Sequence, residues 1–274
     1  MISTLLHAYF NIFKMDDTKT FRKEDKNMES YSAFASVYDV LMQDVDYFAW
    51  ASYIEKIFER YEWKPQNIAD IACGTGSITN ILAQRGYNLI GVDISEDMLF
   101  VAREKAEDMN LDVIYLQQDM KELILPTELD AILCVCDGVN YITREDELIL
   151  FFQSVYRHLK QKGLFIFDIS SWYKLSTILA NNTYAENYED VSYIWENYFD
   201  AERCICDFDL TLFIKEGDRY KKYQESHSQR AYHESEILNC LHAANFTKKE
   251  SFEAFTFQAP SYDSERICFV CQKT

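Results

Sequence analysis

Proline and glycine are scarce in this 274-residue sequence, with three prolines and seven glycines. So few chain-breakers exclude a flexible linker or a disordered, low-complexity chain. Basic residues are also in short supply, 27 against 45 acids, for a net charge of −18. Such a surface repels phosphate backbones. That argues against nucleic acid as a partner and favours neutral or cationic substrates, whether small amines or basic protein surfaces. Long apolar runs are missing too. Met1 to Phe13 is mildly apolar, yet it lacks a basic flank and is too short to cross a bilayer. The expectation is a cytoplasmic protein with reduced thiols and no membrane span. Its eight cysteines then read as small buried hydrophobes. Cys134/Cys136 and Cys204/Cys206 sit two apart in predicted strands. Cys268 and Cys271 form C-x-x-C without a histidine at ligand spacing, so no metal site is predicted.

What is present is ample core material: 48% hydrophobic residues, with 19 tyrosines and 19 phenylalanines. Apolar residues recur at helical spacing over 31–42 and 47–61, with Asp46 as N-cap of the second helix. Buried strands of about five residues then alternate with helices. Strands are predicted at 67–71, 88–93, 112–117, 129–135 and 164–169. Helices are predicted at 77–85, at 95–109 behind a Ser95 cap, and at 145–159, ended by Gly163. This alternation predicts an α/β fold with a doubly wound, mostly parallel sheet. From about 180 to 232 the pattern changes to period two, as in Phe208-x-Leu210-x-Leu212, which predicts an antiparallel β insertion. A last helix at 234–244 and two strands, 246–257 and 266–273, complete the chain. The expected organisation is a mobile extension at 1–27 and a core at 28–179. A lid-like insertion at 180–232 and a return to the core at 233–274 follow.

The densest chemistry lies at the carboxyl ends of the predicted strands, where open α/β sheets bind ligands. The first strand ends in Asp70-Ile-Ala72-Cys-Gly74-Thr-Gly76. Glycines so placed allow left-handed backbone and close approach of a ligand. Asp93 ends the second strand, placed to accept hydrogen bonds from both ribose hydroxyls. Asp119 ends the third, placed for an adenine amino group, with Met98 and Met120 as apolar walls. A dinucleotide loop would carry a further glycine where Thr79 stands, for pyrophosphate and close helix packing. Asp70 would repel a pyrophosphate and could hold a cationic ammonium. The ligand implied has a ribose, an adenine and a positive amino-acid tail, without phosphates.

On these residues the chain resembles the class I S-adenosylmethionine-dependent methyltransferases. The matching stretches are Asp70 to Gly76, Gly91-Val-Asp93-Ile94-Ser, Gln118-Asp119-Met120 and Cys136-Asp137-Gly-Val-Asn140-Tyr141-Ile. The closest likeness is to a bacterial small-molecule-type group of unassigned substrate. Its members open as Tyr31 to Asp39 does, carry His-x-x-Arg (His227 to Arg230), and end like Glu265-Arg266-Ile-Cys-Phe-Val. Ala72 departs from the superfamily, which has glycine there. The resemblance implies a seven-stranded sheet with a lid and transfer of a methyl group to a small molecule by in-line displacement. It further implies that Tyr31 and Tyr38 close over the methionine end and that Asp137, Asn140 and Tyr141 line the pocket. His227 would serve as a base and Arg230 would hold a substrate carboxylate. Limited proteolysis is expected to cut first within residues 1–27; protection of that stretch would contradict a mobile extension.

Overall fold

The computed structural model describes residues 34–274. The expected extension at 1–27, and Tyr31, lie outside the described residues. Helix α1 covers 34–41 and α2 covers Tyr47–Arg60. Asp46 caps α2 as its sequence predicts, accepting the Ala49 N–H at 2.8 Å. Strands and helices then alternate: β1 (Asn67–Ile71), α3 (Ser77–Gln84), β2 (Asn88–Asp93), α4 (Glu96–Asp108), β3 (Ile114–Gln117), β4 (Leu129–Cys134), α5 (Glu145–His158) and β5 (Leu159–Ser170). Four strands follow without an intervening α-helix: β6 (Thr183–Asn187), β7 (Val191–Asp200), β8 (Ile205–Glu216) and β9 (Arg219–Arg230). Helix α6 (Glu234–Ala243), β10 (Lys248–Glu253) and β11 (Arg266–Gln272) close the chain.

The large sheet has seven strands in the order β3-β2-β1-β4-β5-β11-β10. Strands β1 to β5 are parallel, and β11 runs antiparallel to both β5 and β10. Strand order reverses between β1 and β4, so the loops leaving these two strands diverge and open a crevice at their carboxyl ends. Alternate residues of each buried strand feed opposite cores. Ile68, Leu164, Ile166 and Val270 join α1, α2 and α3 on one face. Ile71, Phe165, Phe167 and Phe269 join α5 and α6 on the other. There the Phe167 and Phe269 rings stack at 4.9 Å. Each such fully buried side chain contributes roughly 1.5–3 kcal/mol by leaving water.

Strands β6 to β9 form a separate antiparallel sheet. Its period-two pattern buries one face: Tyr193, Trp195, Phe208, Leu210, Leu212 and Tyr223 belong to the same apolar cluster as α1 and α2. The second sheet is thereby packed onto the first.

One sequence expectation needs correction. Gly163 does not end a helix. Helix α5 stops at His158 and β5 begins at Leu159 with no loop between them. Residues 160–163 instead form a bulge opposite Asp130, since Leu129 pairs with Leu159 but Ala131 with Leu164. A Cβ at Gly163 would come within 2.8 Å of the Lys160 carbonyl, so the bulge requires glycine. Cys268 and Cys271, being an odd number apart, feed opposite cores and do not face each other.

Behind the crevice the Tyr115 ring acts as a wedge. It lies so close to β2 that a Cβ at Gly91 would fall 2.5 Å from its ring carbons. Its hydroxyl donates to Asn80 Oδ1 at 2.8 Å, tying β3 to α3. Gly91→Ala is therefore expected to cost about 1–3 kcal/mol in urea denaturation by overpacking. Adding Tyr115→Leu should recover part of that loss, and an unaffected single variant would refute the wedge.

Candidate active site

The loop after β1 turns through three left-handed residues: Ala72 (φ 58), Gly74 (φ 54) and Gly76 (φ 70). Ala72 bears the steric strain that glycine would avoid. The turn sets Gly76 as N-cap of α3 and brings the loop backbone to the end of β2. There Asp93 accepts the Gly74 N–H at 2.8 Å through one carboxylate oxygen. It accepts the Ser95 N–H at 2.9 Å through the other. A carboxylate has about four lone-pair sites, so each Asp93 oxygen keeps one. One residue before the end of β1, Asp70 accepts the Thr79 hydroxyl at 2.6 Å.

Both carboxylates are buried, at 3% and 2% exposure, and among the described residues neither forms an ion pair. Burial pushes the Asp70 carboxyl up to about 7, and Asp93 adds to the shift. Burial raises Asp93 to about 6 against the backbone N–H groups that favour its anion. Two adjacent buried acids without a counter-ion form a site that calls for a cation.

The loop is also tied outward. Thr75 donates to Asp39 of α1 at 2.7 Å, and Lys105 of α4 bonds Asp39 at 2.8 Å and Ser77 at 3.0 Å. Tyr38 of α1 and Tyr47 of α2 share with Asp70, Ala72 and Cys136 a cavity of only about 20 Å³. A second cavity, of about 560 Å³, opens between the large sheet and β8–β9 and is lined by Asp119, Met120, Tyr141, Phe208 and His227. The Tyr141 and His227 rings meet edge-on at 6.2 Å. Burial lowers the imidazole to about 4, so His227 is neutral at physiological pH. Met98 and Met120 are buried beside β2 and β3. The Ile94 carbonyl accepts Gln117 Nε2 at 3.1 Å. Asp119 caps a short 3-10 turn, accepting the Lys121 N–H at 2.9 Å, with Lys121 Nζ at 3.3 Å.

Three expected pocket residues are engaged elsewhere. Asn140 donates both amide protons to backbone carbonyls, of Ser170 at 3.0 Å and Arg230 at 2.9 Å. It also accepts the Ser170 N–H at 2.9 Å. Asn140, expected to line the pocket, is thus a structural staple. Arg230 pairs with Glu236 at 3.0 Å and donates to the Thr143 carbonyl at 3.3 Å, so its charge does not await a carboxylate. Asp137 is wholly buried and accepts Arg266 Nη2 and Gln229 Nε2, each at 2.8 Å. Tyr47, Tyr115, Gln229 and Arg266 received no role in the sequence reading. Arg266 carried a signal, a charge opening an otherwise apolar strand.

The family described as "Methyltransferase domain" matches residues 68–163. YqeM from Bacillus subtilis (strain 168), a protein classed by name among the methyltransferases, is 35% identical over 245 residues. That alignment spans 89% of this chain and 97% of YqeM. The crystal structure of an S-adenosylmethionine-dependent methyltransferase from Clostridium acetobutylicum ATCC 824 has 33% identity and a TM-score of 0.80. It covers 89% of this chain and 98% of that one. The chain belongs to the class I S-adenosylmethionine-dependent methyltransferases. S-adenosylmethionine is the cofactor of this methyltransferase. A more distant relative, the dTDP-3-amino-3,4,6-trideoxy-alpha-D-glucopyranose N,N-dimethyltransferase of Streptomyces venezuelae, is 29% identical over 136 residues. It matches 49% of this chain and 56% of its own.

The donor set fits such a cofactor. Asp93 keeps acceptor sites for two hydroxyls, and the unpaired acids suit a ligand with a cationic tail and sulfonium. The same acids destabilise the methyltransferase without cofactor. Folded Asp70 keeps its proton up to about pH 7, whereas the unfolded chain releases it near pH 4. Stability from this group is therefore full below about pH 4 and lost as pH rises through about 7. Asp70→Asn is expected to flatten the fall in Tm between about pH 5 and about pH 8 while weakening cofactor binding. A wild-type-like pH profile would contradict the assignment.

Proposed function

We propose that this methyltransferase acts on a small, polar acceptor that enters the cavity under β8 and β9, with an amine nitrogen as the nucleophile. The observation that carries this reading is the cavity of about 560 Å³. Its volume lies in the range of small-molecule sites. It reaches from Asp119 and Met120, at the ends of the core strands, to Tyr141 and His227. The second sheet serves as a lid that excludes water from this space.

The proposed holding groups follow from the fold. Asp93 binds the ribose hydroxyls, Asp119 the adenine edge and Met98 and Met120 its faces. Asp70 meets the amino-acid tail, with Tyr38 covering it. When bound, the cofactor supplies an activated methyl group on sulfonium sulfur, which departs as the neutral thioether S-adenosylhomocysteine. The protein's own contribution is in-line placement and desolvation.

An amine suits the lining better than an alcohol. Four acids, Asp119, Glu147, Asp207 and Asp209, border the cavity against two bases, Lys121 and Arg203, together with Ser226 and Ser228, a balance that favours a cationic, hydroxylated molecule. Neutral His227 is too weak a base to draw a proton from an alcohol. An amine that has lost its proton to water needs no such help: its lone pair attacks the methyl carbon as the carbon–sulfur bond breaks, the product ammonium returns its proton to water, and neutral His227 lines the cavity without repelling the amine. The Streptomyces venezuelae relative is, by its name, an N,N-dimethyltransferase of a dTDP-linked amino sugar, which supports nitrogen as the methyl acceptor. The acidic surface and the cavity's dimensions favour a small molecule over RNA.

Incubation with S-adenosylmethionine and paired amine and alcohol acceptors is expected to release S-adenosylhomocysteine with amines. Asp93→Ala should reduce cofactor affinity at least tenfold, about 1.4 kcal/mol. Turnover with alcohols alone would overturn the amine assignment. Unchanged affinity of Asp93→Ala would overturn the ribose contact.

A further inference from the structure

The Glu265-Arg266-Ile-Cys-Phe-Val stretch has no part in the chemistry above, yet its arginine lies at the junction of both sheets. Arg266 opens β11 beside β5, where it pairs with Ser170. Its side chain is 10% exposed and spans two wholly buried carboxylates. Nη1 donates to Asp168 of β5, and Nη2 donates to Asp137 in the loop after β4 at 2.8 Å. The other oxygen of Asp137 accepts Nε2 of Gln229, on β9 of the second sheet, at 2.8 Å. Asp168 also accepts the Asp137 backbone N–H at 3.1 Å. Trp50 of α2 lies against the guanidinium, 5.7 Å from ring centroid to Cζ. One planar fork thus holds two carboxylates in fixed relation, which a lysine could not do.

The loop so held is strained. Cys136 and Asp137 are consecutive left-handed residues, with φ 64 and 58, and neither is glycine. Such geometry persists only where the surroundings over-determine it. The strain turns the chain so that Asp137 and Asn140 both face β9. Asp137 grips the Gln229 side chain, and Asn140 grips the Arg230 carbonyl at 2.9 Å. His227 stands two residues before Gln229, on the same face of the strand, and Tyr141 directly follows Asn140.

We propose that the Arg266–Asp137–Gln229 chain is a positioning device: it locks β9 to the end of β4 and so sets His227 against Tyr141 at the acceptor cavity. It rests on the acceptor-site reading above for the role of His227, and it is independent of which acceptor is used. Arg266, Asp137 and Gln229 act through His227 and do not touch the substrate.

Arg266→Ala would leave two buried acids without their partner and could fail to fold. Gln229→Leu is the milder variant, since it keeps volume and leaves the Arg266 pairs intact. Its circular dichroism and S-adenosylmethionine affinity are expected to stay within about twofold of wild type. With histidine carbons labelled, nuclear magnetic resonance of this variant should show His227 titrating at least about one unit higher than in the parent protein, as water enters. The Tyr141–His227 ring contact should weaken in the same spectra. A folded Gln229→Leu protein with both His227 signatures unchanged would overturn the proposal. Neither readout requires an acceptor, so failure of the latch is distinguishable from failure of the amine assignment, which is read by S-adenosylhomocysteine release.

Discussion

Two backbone N–H groups converge on the buried carboxylate of Asp93, one from the end of its own strand and one from the glycine loop of the neighbouring strand. Most of the crevice follows from this convergence. For Gly74 to reach Asp93, the chain after β1 must turn through left-handed geometry at Ala72, Gly74 and Gly76. That turn starts α3 at once and presents its first N–H groups to the crevice. It also presses Gly76 and Gly91 against the Tyr115 ring, where no side chain fits. The electrostatic consequence is as definite. Asp93 and Asp70 are both dehydrated, and no basic side chain pairs with either in the described structure. The protein carries this unfavourable charge until a cationic ligand offsets it, an example of stability yielded at a functional site.

The second constraint lies across the crevice. The loop after β4 is held by Arg266 from below and holds β9 from above, so the two sheets meet through a chain of hydrogen bonds and through the apolar cluster around Trp195 and Phe208. Apolar packing alone would permit the second sheet to slide. Directional bonds to Gln229 and to the Arg230 carbonyl fix its register.

How much of this was legible in the sequence depended on distance along the chain. Local signals were reliable: Asp46 and Ser95 cap the helices they precede, and period-two stretches became the antiparallel sheet. The turn at 159–163 was misread because a helix and a strand abut there, and glycine serves a bulge as readily as a helix end. The acids at the strand ends were visible as positions, but their engagement was not. Asp137 was expected to line the pocket, yet its partners Gln229 and Arg266 lie 92 and 129 residues away. His227 and Arg230 formed one motif on paper. An odd offset on a strand sends them to opposite faces, so His227 turns to the cavity and Arg230 to Glu236.

A crevice with two buried acids and no basic partner for either is expected to select a cationic, phosphate-free adenosyl ligand. Calorimetric titration of the intact protein with S-adenosylmethionine, and separately with NAD, tests it most directly. Saturable heat with S-adenosylmethionine and none with NAD is the predicted result. Tighter binding of NAD would contradict the account.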